Sequence, residues 1–144
     1  MSKTALSLLG ALLLSGTITV PAGAETAAEM DKTLNTLFGH HEPYAAFLIQ
    51  IKKAIAADNR DAVARLVDYP LPVHLDGKAV KIKGAQEFVA HYAKLVTPRV
   101  KQAVARQSYP TLFANWQGVS VGDGTLWFAE VGNGRTVKII AINP

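Results

Sequence analysis

Three side chains in this sequence have the chemistry to carry a proton or hold a polar ligand from within a helical or strand framework. Tyr44 is a hydrogen-bond donor, Asp68 a carboxylate that can serve as a general base, and His91 an acid, a base or a neutral hydrogen-bond partner. A catalytic base needs an interior position, and spacing alone does not give Asp68 one. His40-His41-Glu42 is the only dense group of ligand-type residues. Neighbouring histidines need partners elsewhere to hold one metal, and no His-x-x-x-His spacing occurs, so no metal site is expected. Gly122-Asp123-Gly124 is read as a turn and not a phosphate loop, because β-type residues and no helix follow it. Trp116 and Trp127 are large apolar groups with one donor each, suited to a pocket wall, a core or a partner contact.

The elements that position these groups follow from periodicity. Residues 25–42 read as a flexible or helical leader. Pro43 suits a first helical turn, and Tyr44, Phe47, Leu48, Ile51 and Ile55 then recur at spacings of three and four, which predicts an amphipathic helix ending near Ala57. Asp58-Asn59-Arg60-Asp61 carries a new cap signal, for a short helix over Ala62 to Val67. Tyr69-Pro70-Leu71-Pro72 stops it. Asp76-Gly77 then predicts a two-residue hairpin turn pairing Leu75 with Lys78, Val73 with Val80 and Leu71 with Ile82. A third helix runs from Gly84-Ala85 to about Val96, with Phe88, Tyr92 and Leu95 inward and His91 at the border of that stripe. Thr97-Pro98 caps and opens a further helix through Gln107.

Three strands close the chain: one on each side of Gly122-Asp123-Gly124, and Thr136 to Asn143. A three-residue loop at Gly122–Gly124 puts Val119, Val121 and Trp127 on one face; a one-residue slip exchanges the faces. Grouped helices with hairpin-linked strands predict an α+β fold with a curved, mostly antiparallel sheet packed on the helices, a cone with a cavity at its open end.

Composition bounds the rest. The chain has 144 residues, 49% of them hydrophobic and 18% charged, without internal repeats, which is enough for a single core. Lys3, the apolar run Ala5 to Leu14 and Ala22-Gly23-Ala24 form a secretory signal peptide, with cleavage after Ala24 and a periplasmic or secreted product. No cysteine is present, so disulfides, thiolate metal sites and a lipid-modified cysteine are excluded. Only Lys3 of the 15 basic residues falls in the signal peptide, so the mature chain is mildly basic, and its charges are scattered without a nucleic-acid recognition motif. No later stretch is long and apolar enough to cross a membrane.

The runs Asp58-Asn59-Arg60-Asp61 to Leu66-Val67-Asp68-Tyr69-Pro70-Leu71, Gln117-Gly118-Val119-Ser120-Val121-Gly122-Asp123-Gly124 with Leu126-Trp127-Phe128, and Lys138-Ile139-Ile140-Ala141-Ile142-Asn143 resemble the nuclear-transport-factor-2-like superfamily, in its exported bacterial members. The resemblance covers residues 43–144 and implies the cone-shaped fold with a pocket. It implies no reaction, since the superfamily contains isomerases, cyclases and dehydratases beside non-catalytic binding domains. Its steroid-isomerase-like members use a tyrosine and carboxylic acids inside the cone. Tyr44 and Asp68 are similar in position, whereas Val119, Val121, Trp127 and Ala129 stand where a second acid would be sought.

Three readings follow. One is a binding or accessory domain with a small apolar pocket formed by Tyr44, Leu48, His91, Tyr92 and Trp127. Another is an isomerase- or lyase-type enzyme using Tyr44, Asp68 or His91. The last is a protein-binding inhibitor or immunity factor acting through the sheet face, which would also serve a homodimer. No cofactor is implied. An acid–base pair deep in a cavity favours the enzyme, a dry cavity favours ligand binding, and a filled cone with exposed apolar surface favours a protein partner.

Overall fold

A computed structural model describes residues 25–133 and 136–144, so the signal-peptide expectation for residues 1–24 lies outside the described residues. The leader segment is helical. Helix α1, Ala27–Phe38, starts at a capping box in which Thr26 and Glu29 satisfy each other's backbone N–H groups, at 3.2 and 2.8 Å. It buries Met30 and Leu34 and ends at Gly39, whose left-handed φ of 85° closes the last turn. Helix α2, Glu42–Ala56, has Pro43 in its first turn and buries the predicted stripe of Tyr44, Phe47, Leu48, Ile51 and Ile55. Helix α3 spans Arg60–Arg65 and begins earlier than expected, because the Asn59 side chain accepts the Ala62 N–H and is the cap.

Strands β1, Leu71–Leu75, and β2, Lys78–Ile82, pair in the predicted register, with Leu71 opposite Ile82, Val73 opposite Val80 and Leu75 opposite Lys78. Asp76 and Gly77 both have positive φ, 52° and 76°, as a two-residue hairpin turn requires. The third predicted helix is divided at His91, which leaves helical dihedrals, into α4, Ala85–Ala90, and α5, Tyr92–Leu95. Helix α6, Pro98–Arg106, is capped by Thr97 as its sequence signal requires.

A four-stranded antiparallel sheet follows: β3, Phe113–Asn115; β4, Gly118–Val121; β5, Leu126–Val131; and β6, Thr136–Ile142, in that order across the sheet. The short β3 is a strand beyond the three expected. The chain is α+β, with the helices on one face of this sheet. β6 is held beside the start of the first hairpin by Ile139 N–H donating to Leu66 O and Asp68 N–H donating to Ile139 O.

The register of the β4–β5 hairpin differs from the expected three-residue loop. Val119 faces Phe128, Ser120 faces Trp127 and Val121 faces Leu126, which leaves Gly122 to Thr125 as a four-residue loop. Thr125 is drawn into the loop because its N–H reaches the carbonyls of Val121 and Gly122 and its hydroxyl bonds to Gly122 O. The faces of β5 are therefore exchanged. Val119, Val121, Leu126 and Phe128 are fully buried against the helices, and Trp127 turns outward.

Candidate functional site

The expected pocket residues do not converge. Tyr44, on the inner face of α2, is 1% exposed, stacked on Phe38 at 4.7 Å and tilted against Phe128 at 6.3 Å. Burial, aided by the charge of Glu130, pushes its hydroxyl up to about 12. It keeps its proton across the neutral range. Leu48 is likewise core. Tyr92 belongs to a second aromatic group, edge-on to Phe88 at 6.1 Å, with Arg60 and Lys101 lying over its ring at 5.3 and 5.7 Å. Its hydroxyl is buried without a hydrogen-bond partner in the protein. Burial first, and then nearby Asp58, raise its pKa, although Asp58 is not at hydrogen-bonding geometry.

Asp68 is exposed where the chain leaves α3, so it lacks the enclosed position a base requires. His91 is exposed too, since the helix breaks there. It faces a surface cleft beside the first hairpin, with Leu75, Val80, Glu87 and Lys94. Trp127 is excluded from the interior by the register of β5. The four surface clefts characterised among the described residues are lined by none of Tyr44, Leu48, Asp68, Tyr92 and Trp127.

The two histidines after α1 have structural partners. His40 pairs with Glu130 of β5, and His41 Nδ1 lies 3.0 Å from Asn35 Oδ1. Tyr109 donates to Asp31 at 2.7 Å, and burial followed by that bond raises the Tyr109 pKa. These contacts fasten α1 and its connection to α2 onto the rest of the domain. No group of three or more metal-ligand side chains gathers among the described residues.

The surface that sequence reasoning underweighted is the outer face of the sheet. Phe113, Ser120, Trp127 and Ala141 form one row across its four strands. Phe113 is 57% exposed and meets Trp127 edge-to-face at 6.0 Å. Trp116, in the β3–β4 turn, is 80% exposed. The neighbouring row, Asn115, Gly118, Ala129 and Lys138, is small at its centre. A Cβ on Gly118 would come within 2.7 Å of Phe128 O, so that position accepts no side chain. The available signal was the aromatic pair Phe113 and Trp116 flanking a turn, but it becomes legible only once β3 is known to be a strand.

No helix among the described residues is long and apolar enough to cross a membrane. Comparison with protein-family models, curated proteins and solved structures yields no match for this chain.

Proposed function

We propose that this chain is an exported, non-catalytic binding module of nuclear-transport-factor-2-like type that engages a protein partner through the outer face of its four-stranded sheet. The observation that carries this reading is the grouping of exposed Phe113 and Trp116 with half-buried Trp127 on one side of the sheet. Exposed apolar area grouped in this way is costly in water and typical of protein contact surfaces, where aromatic anchors dominate the binding energy. The interior supports the same choice: Tyr44, Leu48 and Tyr92 are spent on packing, which leaves the small-ligand reading without its lining.

The test places a photo-crosslinking amino acid at position 116 of the exported protein in its own host. The captured protein is identified, purified and titrated against wild type and the Trp116→Ser and Phe113→Ser variants. Both positions are exposed, so folding is expected to survive. Affinity is expected to fall roughly tenfold or more in each variant, as for an interface anchor. Equal affinity for all three proteins sinks the reading. Crosslinking to a second copy, with concentration-dependent mass in sedimentation, would make the partner the chain itself.

A further inference from the structure

Beside the aromatic face lies a cleft of about 440 Å³ between α6 and the β4–β5 turn. One wall is α6, which presents Arg99, Gln102 and Arg106, all exposed. The other includes Phe113, Ser120 and Asp123. Seven residues on a helix return to nearly the same face after two turns, so the two arginines stand about 10 Å apart along α6 with Gln102 between them. Among the described residues the lysine and arginine ion pairs are those of Arg60 and Lys101 with Asp58 and of Lys94 with Asp76. Neither Arg99 nor Arg106 pairs with an Asp or Glu side chain there. The hydrogen bond of Arg99 is a 3.3 Å contact to the Pro144 carbonyl.

The cleft is held in shape from below. Gln107, 9% exposed, donates through Nε2 to Ser108 O at 3.0 Å and to Thr111 Oγ1 at 3.1 Å, and accepts the Gly122 N–H at 3.0 Å. Lys52 reaches from α2 to the carbonyls of Ala105 and Gln107, at the end of α6. The Ser120 hydroxyl oxygen accepts the Gly124 N–H at 2.9 Å and keeps its own O–H as a donor. The donors facing the cleft are therefore the Arg106 guanidinium, the remaining N–H groups of Arg99 and the Gln102 amide on the α6 wall, with the Ser120 O–H opposite. Asp123 on the opposite wall carries a negative charge, so an acidic ligand is favoured only along the α6 side.

We propose that this cleft receives an acidic, extended segment of the partner, with alternate carboxylates held by Arg99 and Arg106. The proposal rests on the protein-binding reading above. An arginine fork matches a carboxylate in two parallel hydrogen bonds. An extended chain presents alternate side chains on one side about every 7 Å, within the span of two long arginines on this helix. The cleft is an open trough, unlike the enclosing cavities that bury most of a small ligand. Phe113 lines it and also belongs to the aromatic row, so a segment in the trough continues onto the outer face.

The probe is a capped hexapeptide of alternating glutamate and threonine, titrated into the 15N-labelled mature chain. The same peptide with lysine for glutamate is the control. The acidic peptide should shift the Arg99 and Arg106 Nε–H signals and the amides of Gly122 to Gly124, more weakly as salt is raised, and the lysine peptide should not. The double variant Arg99→Gln, Arg106→Gln should bind roughly tenfold more weakly with unchanged thermal unfolding. Absent shifts with the acidic peptide, or equal binding to the double variant, would overturn the proposal. The crosslinked partner separates this inference from the reading beneath it. If Trp116→Ser weakens that partner and the double arginine variant does not, the acidic-segment inference fails and the outer-face reading stands. If neither weakens it, both fail.

Discussion

The register of the β4–β5 hairpin decides which aromatic residue of β5 supports the fold, and paired alanine substitutions test it. Phe128 is fully buried, 4.9 Å from the Phe47 ring and 6.3 Å from Tyr44. Phe128→Ala opens a cavity with rigid walls on both sides, which costs about 3–5 kcal/mol. Trp127 is half-buried on the outer face, against Phe113. Trp127→Ala loses roughly half of a full transfer term and leaves no enclosed void, for about 1–2 kcal/mol. With a urea slope near 2 kcal/mol per molar, the unfolding midpoint should fall by about 2 M for Phe128→Ala and by under about 1 M for Trp127→Ala. Far-UV circular dichroism is the appropriate signal, since one variant removes a fluorophore. The three-residue loop inverts the order, because it turns Trp127 inward. A Trp127→Ala penalty equal to or above that of Phe128→Ala would refute the register and with it the outward aromatic face.

Four further outcomes are expected. Gly122→Ala combines a positive φ of 55° with a Cβ placed 2.6 Å from Ala103 Cβ and should cost about 2–5 kcal/mol, whereas Gly77→Ala, in open space, should cost only about 1–2 kcal/mol; similar losses in chemical denaturation would contradict the packing of α6 on the turn. Lys52→Met should lower stability by about 1–2 kcal/mol by releasing the carbonyls of Ala105 and Gln107, and a neutral result in the same assay would remove its capping role. Tyr92→Phe should be neutral or slightly stabilising, because the deleted hydroxyl is buried without a protein partner; a loss above about 1 kcal/mol would show that the hydroxyl is bonded. Burial holds Tyr44 and Tyr69 at about 12 in the fold against 10.0 in the ordinary state, so the unfolded chain releases these protons first. Their contribution is therefore complete below pH 10 and is lost as pH rises from 10 through 12; urea titrations across this range should show a shallower decline in Tyr44→Phe, and parallel slopes would remove Tyr44 from the account.

What was legible in the sequence is what local chemistry settles. Asp76-Gly77 needs no distant partner to form its turn, since both residues tolerate positive φ, and the apolar alternation around it admits one register. The stripe of α2 and the caps Asn59 and Thr97 are set within a turn or two of chain. The α+β class follows from the order of such elements. The candidate site depended on contacts that no local pattern contains. The Gly122–Thr125 loop takes its form where α6 packs on it, with Gln107 accepting the Gly122 N–H from fifteen residues upstream in the chain and Ala103 filling the space where a side chain on Gly122 would lie. That contact turns Phe128 in and Trp127 out, and a period-two pattern with apolar residues on both faces cannot choose between them. β3 is only three residues long and exists through its pairing with β4. The position of Phe113 beside both Trp127 and the Arg99–Arg106 wall is thus a product of tertiary packing alone: it joins three elements that the sequence keeps apart.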